Sequence, residues 1–221
     1  MPRVPEVRAE APADHSHVIP PPPTLGKARV ETLVDGVFAI AMTLLVLEIK
    51  VPGGDGPLLP ALWALRASFL AYAVSFTNLG VFWVGHHAQF DVVRRTTRSF
   101  TWINIGFCAV ISLIPFSTAL LAQHADERAA VLFYGGNLLV GGLLLYANWR
   151  YATDHHRLVE HTIPPALVRL GGLRTLTGTA LLLGAMALSF LDTRLAIAIF
   201  ALIPAYYIFP GVVDRLFTPR T

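Results

Sequence analysis

Six long apolar stretches run through the chain, near 30–50, 61–85, 100–122, 130–149, 170–191 and 195–213. At about 1.5 Å of rise per residue, each is long enough as a helix to cross about 30 Å of hydrocarbon. Short segments rich in Pro, Gly or charge separate them: VPGGDGP, DVVRRTTR, HADER, TDHHRLVEHTIPP and DTR. The pattern predicts an all-α integral membrane protein with six transmembrane helices. Inside the third stretch, Pro115-Phe116-Ser117-Thr118 predicts a kink, because proline removes a backbone donor from the helix ladder. In the fourth, Gly135 and Gly142 lie seven residues apart and predict a closely packed face. No tandem repeat is evident, so a duplicated transporter plan gains no support.

Composition agrees with this picture and narrows it. Only 14% of the residues are charged and 54% are hydrophobic, against about 25% charged in a soluble domain. The single cysteine, Cys108, excludes an internal disulfide. No basic run interleaved with aromatics suggests a nucleic-acid surface. Residues 1–24 form a zone rich in Pro, Ala and charge with no apolar period. They read as a disordered Pro-rich tail ahead of a helical domain over 25–213, with 214–221 as a second short tail. Of the 17 Lys and Arg residues, only Lys50, Arg128 and Arg194 fall on one side of a six-span arrangement, while Arg66 sits a turn or two inside the second span. The excess of positive charge on the other side places both termini in the cytoplasm, with the chain as a multi-pass protein of the cell membrane.

Two features of the first stretch bear on chemistry. At about 100° per residue, Gly36, Ile40, Thr43 and Leu47 fall within a stripe about 60° wide, bordered by Leu44. Small residues in such a stripe serve ordinary helix packing, or copies of the stripe surround an axis and line a narrow apolar conduit. Periodicity does not separate these. Asp35 is an ionisable group on the lip of an apolar helix, where it needs a partner or a wet cavity. Arg29 stands about 120° from it around the helix, so the two are not expected to pair directly. Trp83, His86 and His87 of WVGHHAQF and Asn104 of FTWINIGF fall at the same predicted depth. With Arg29 and Asp35 they predict one shared hydrogen-bond network, a polar clasp that fixes helix packing. A direct ion-binding role for Asp35 is the alternative.

In these residues the chain resembles the potassium channels related to transmembrane protein 175, in their short bacterial form. The resemblance rests on RVETLVDGVFAIAMTLLVLEI from Arg29 to Ile49, on WVGHHAQF, on Asn104 in its context, and on LIPFSTALL. It covers the first three stretches in order and spacing; the last three match mainly in number and hydropathy. Leu33 and Val34 stand where the family usually has Phe and Ser. The resemblance implies a homotetramer in a lipid bilayer, with four copies of the first helix forming a central pore for potassium ions and with no cofactor. By position, Ile40 would form the tightest constriction, with Thr43, Leu44 and Leu47 continuing the lining. Arg29, Asp35, Trp83, His86, His87 and Asn104 would hold the pore helix in place.

Three rivals follow from the same residues. A proton-coupled secondary transporter would use Asp35 or His86 and His87 as a relay. An intramembrane metalloenzyme would draw on those histidines with His155, His156 and His161 of TDHHRLVEH, a segment whose spacing fits a solvated loop better than a ligand set. A membrane scaffold would conduct nothing.

Overall fold

The computed structural model describes residues 26–53 and 56–208. They form eight α-helices: α1 (Lys27–Leu47), α2 (Leu58–Ala64), α3 (Arg66–Val92), α4 (Arg98–Ser112), α5 (Ile114–Gln123), α6 (Arg128–Thr153), α7 (Pro165–Leu188) and α8 (Thr193–Ile208). A short 3-10 turn, Asp154–His156, follows α6. Both predicted tails lie outside the described residues, as do residues 209–213 of the sixth apolar stretch.

Among the described residues, five helical segments are long and apolar enough to cross a membrane: α1, α3, α4 continued by α5, α6, and α7. The sixth predicted span departs from this. Its described part, α8, is apolar but only 16 residues long. Two of the predicted spans are also broken. Leu65, with φ −80° and ψ 1°, separates α2 from α3. Leu113 separates α4 from α5, and Pro115 sits in the first turn of α5. There its missing N–H costs little, because the first turn of a helix has no internal acceptor for it. The predicted kink is therefore present, placed just ahead of the proline. At its other end α3 runs seven residues past the predicted limit of 85, because Gln89 and Phe90 are buried against other helices.

The main core gathers Phe38 and Leu45 of α1, Phe82 of α3, Phe107 of α4, Tyr134 of α6 and Phe200 of α8. Phe107 is its hinge, with ring centroids 5.8 Å from Phe38 and 6.2 Å from Phe82. α1 packs on α3, α4 and α5, while α7 packs on α6 and α8. The glycine face of α6 is as close as its spacing predicts. A Cβ on Gly135 would stand 2.7 Å from Met186 Cγ, and one on Gly142 would stand 3.0 Å from Thr179 Oγ1.

A second, smaller core closes one end of the bundle. Val30 of α1 meets Phe90 and Val93, Phe100 of α4, and Ala152, Leu158 and Val159. The TDHHRLVEH segment is solvated only in part: His155, Arg157, Glu160 and His161 are exposed, but Leu158 and Val159 are buried. Val159 forms an antiparallel bridge with Val93. The Arg94 N–H donates to the Leu158 carbonyl at 2.8 Å, and Arg95 Nε–H to the Arg157 carbonyl at 2.9 Å. Two linkers are joined into a strap under the start of α1. Sequence polarity concealed this, since the charged residues of the segment face outward from the two apolar ones.

Candidate functional site

α1 presents two faces. Val30, Val34, Phe38, Ala41 and Leu45 recur at helical spacing and are buried in the subunit. On the other side Ile40 is 60% exposed, Leu44 41% and Leu47 62%. A Cβ on Gly36 would meet nothing within 4 Å. Thr43 is exposed too, its hydroxyl donating to the Ile40 carbonyl at 2.9 Å. The stripe of Gly36, Ile40, Thr43 and Leu47 is therefore not consumed by packing within one subunit. Arg29 and Leu33, eleven and seven residues before Ile40, share the same face within about 20°. Val34 lies in the core, where an apolar side chain needs no partner.

Five of the six residues expected to form one network are divided into two groups, and Arg29 joins neither. In the first, Trp83 Nε1–H donates to Asp35 Oδ1 at 2.9 Å, tying α1 to α3. The Trp83 ring stacks on His87 with centroids 5.7 Å apart. His87 Nε2 is 3.9 Å from Asp91 Oδ1 one turn further on. This group is exposed on the subunit surface.

The second group is buried between α3, α4 and α6. His86 Nε2 lies 2.8 Å from Asn104 Oδ1. Asn104 Nδ2 donates to the Phe100 carbonyl at 2.8 Å and to Asn148 Oδ1 at 2.9 Å. Both amide hydrogens are thus used, which leaves Oδ1 for His86 and assigns the proton to His86 Nε2. Asn148 Nδ2 donates to Gln89 Oε1 at 3.1 Å, and Gln89 Nε2 to the Leu145 carbonyl at 3.1 Å. The His86 ring is held between Phe90 and Phe107, at 4.3 and 5.6 Å.

Two expectations are corrected. The network is not single: Asp35 and Trp83 do not hydrogen-bond to His86 and Asn104. Arg29 makes no side-chain bond to any described residue, because it faces away from the subunit's own helices. His87 joins by stacking and a long contact on the exposed face of α3. Two participants, Gln89 and Asn148, were not anticipated. Their signal was present, since Gln89 belongs to WVGHHAQF and Asn148 is an amide in the fourth apolar stretch, but neither was singled out. Among the described residues no group of three or more His, Cys, Asp or Glu side chains is placed to hold a metal.

The Asp35–Trp83 contact makes a direct prediction. Trp83→Phe keeps the ring and removes the donor, and should lower thermal stability by about 1 kcal/mol for this half-exposed bond. In combination with Asp35→Ala the loss should be less than additive, since both changes remove one interaction. Fully additive losses in melting experiments would show that the two residues act separately.

Comparison with known proteins gives a consistent result. The family model described as the endosomal/lysosomal potassium channel TMEM175 matches residues 29–115. A potassium channel of Streptomyces collinus is 35% identical over 190 residues, covering 83% of this chain and 92% of that protein. A potassium channel of Chamaesiphon minutus is 36% identical over 186 residues, covering 81% and 92%. The endosomal/lysosomal proton channel TMEM175 of rat is 35% identical over 162 residues, covering 67% of this chain but 32% of the longer animal protein. The crystal structure of a homologue, from Chamaesiphon minutus, of the lysosomal potassium-selective channel TMEM175 superposes with a TM-score of 0.73 at 35% identity. That match covers 82% of this chain and 95% of that one.

Proposed function

Because this chain belongs to the TMEM175 family of ion channels, we propose that it is a passive potassium-permeable channel whose pore is built from four copies of α1 around one axis. The family is one of channels rather than enzymes, and its members move permeant ions without a cofactor. The observation that carries the proposal is the exposed face of α1. Ile40 and Leu47 are more than half exposed, although α1 is buried along its opposite side. In the assembled channel α8 serves as the sixth span, and both termini face the cytoplasm across the cell membrane, as the Lys and Arg distribution favours.

In this reading Ile40 forms the narrowest ring, and Thr43, Leu44 and Leu47 carry the lining outward. An apolar ring admits an ion only if part of its hydration is stripped, and it closes by dewetting. Potassium holds its water less tightly than sodium, so it passes more readily. Selectivity is modest, because isoleucine offers no oxygen in exchange. Thr43 supplies one hydroxyl per subunit just beyond the constriction, where it offsets part of the loss. Asp35, fixed by Trp83, holds the pore helix against α3.

The test is flux from proteoliposomes loaded with potassium, with internal pH recorded at the same time. Potassium efflux down its gradient, with no requirement for a proton gradient, is the expected result. A requirement for a proton gradient would instead establish the coupled transporter. The rat and human relatives are named proton channels, so a proton current without potassium efflux is the second reading that this experiment separates. Thr43→Ala should lower the preference for potassium over sodium without lowering the yield of assembled protein. A change confined to assembly would assign Thr43 to packing between subunits.

A further inference from the structure

A cavity of about 920 Å³ forms a groove between α3 and α7, floored by α6 and edged by Ile203 and Tyr207 of α8. Its size lies within the range of sites that enclose a ligand, about 300–1,000 Å³. No residue of α1 lines it, so the pore does not use it. Its walls are mainly apolar, with Val81, Val84, Leu145, Leu170 and Leu182 among them. Both walls are helices long enough to span a membrane, and the groove runs along them.

At one end the chemistry changes. Asp91, in the last turn of α3, and Arg174 of α7 line the groove from opposite walls. α6 relates their depths. Gln89 bonds to the Leu145 carbonyl, and Trp149, one turn further along, donates to the Val168 carbonyl at 2.9 Å. The Trp149 ring fills the space beside Gly171, where a Cβ would stand 2.8 Å from it. Asp91 and Arg174 are thereby held within about one helical turn of a common level. Tyr207 steadies the guanidinium, accepting from Arg174 at 3.2 Å through its carbonyl and placing its ring centroid 5.5 Å from the charge. Trp83 belongs to the same wall as Asp91.

We propose that this groove holds one phospholipid of the surrounding bilayer whose headgroup carries a primary ammonium. An acyl chain lies along the α3–α7 cleft, the phosphate faces Arg174, and the ammonium faces Asp91. Charge complementarity selects this occupant. One acid and one guanidinium across an apolar slot match a zwitterion; a purely anionic headgroup would meet Asp91, and a quaternary choline has no N–H to donate to it. The inference rests on the chain spanning a membrane and not on the pore reading.

The test uses the full chain, purified and supplied in turn with phosphatidylethanolamine, phosphatidylcholine and phosphatidylglycerol. Bound lipid is counted by native mass spectrometry and melting temperature is recorded alongside. Phosphatidylethanolamine should be retained at one molecule per subunit and raise the melting temperature most. Asp91→Asn, a change on an exposed side chain, should lower its retention by about tenfold, the effect of one charge-assisted contact, and leave phosphatidylcholine unaffected. Gly80 lines the groove and has open space for a Cβ, so Gly80→Leu should fill the cleft and abolish retention of any lipid without unfolding the protein. Equal retention of all three lipids, preference for phosphatidylglycerol, or retention untouched by Gly80→Leu would overturn the proposal. So would a disulfide between two copies carrying Gly80→Cys, which would give the groove to a neighbouring subunit. Potassium flux is a separate readout, so either result stands whatever the pore proves to be.

Discussion

Ile40→Asn should raise single-channel conductance by about tenfold and bring potassium and sodium permeabilities close together, the largest functional effect expected from any single change in α1. In the proposed pore the isoleucine presents a branched apolar side chain to the axis and no group that can replace water on an ion. Asparagine has similar bulk but carries a carbonyl oxygen and an amide, so the ring stays wet and the ion keeps or exchanges its ligands. Removing about 1.4 kcal/mol from the barrier corresponds to about tenfold in rate, a modest share of the cost of partial dehydration. Discrimination should fall together with the barrier, because the same dehydration step sets both. Reversal potentials in planar bilayers under potassium and sodium gradients check this. Unchanged permeability ratios would remove Ile40 from the role of selective ring. Ile40 packs on none of the buried core, so the variant should melt like the wild type.

The largest effect on stability is expected from Asn104→Leu. This side chain stands at the centre of the buried amide chain, 1% exposed, between His86 and Asn148. A leucine of similar size leaves the His86 Nε2–H and the Asn148 Oδ1 without partners. Hydrogen bonds between membrane helices average only about 0.6 kcal/mol, whereas a buried polar group left unsatisfied costs about 1–3 kcal/mol. With two groups orphaned at once, the second figure governs, and a loss of about 2–4 kcal/mol is expected. Gln89→Leu should cost less, because the Leu145 carbonyl keeps its bond within the helix. Thermal unfolding in detergent checks the order. Equal losses for the two variants would mean that the chain of amides carries no cooperative load.

These two predictions concern residues that were legible to different degrees. Ile40 could be placed on a face with Gly36, Thr43 and Leu47 by helical period alone, because an α-helix fixes the angle between residues. The period could not say whether that face meets a neighbouring helix. The buried set Val30, Val34, Phe38, Ala41 and Leu45 turns it away from the rest of the subunit. Asn104 and His86 were recognised as polar groups at one depth, yet their partners Asn148 and Gln89 come from α6 and the far end of α3. Which amide meets which depends on the rotation of each helix about its axis, and that is set by the packing of Phe82, Phe107 and the small residues of α6.

By itself the sequence determined what local physics controls. Runs of apolar residues longer than a bilayer is thick must form spanning helices, since no other open structure satisfies the backbone there. Proline at 115 favours a break just ahead of it, and the glycines of α6 leave room for close neighbours. Only the tertiary structure decided which groups share a site. It divided the expected network into an Asp35–Trp83 contact and a separate buried amide chain. It left Arg29 on the open face of α1, made a strap from a segment that reads as solvated, and opened the groove between α3 and α7. Each of these depends on how helices distant in sequence are rotated and stacked. Hydropathy is nearly uniform around a membrane helix, so it carries little information about that rotation; interlocking side chains carry it instead.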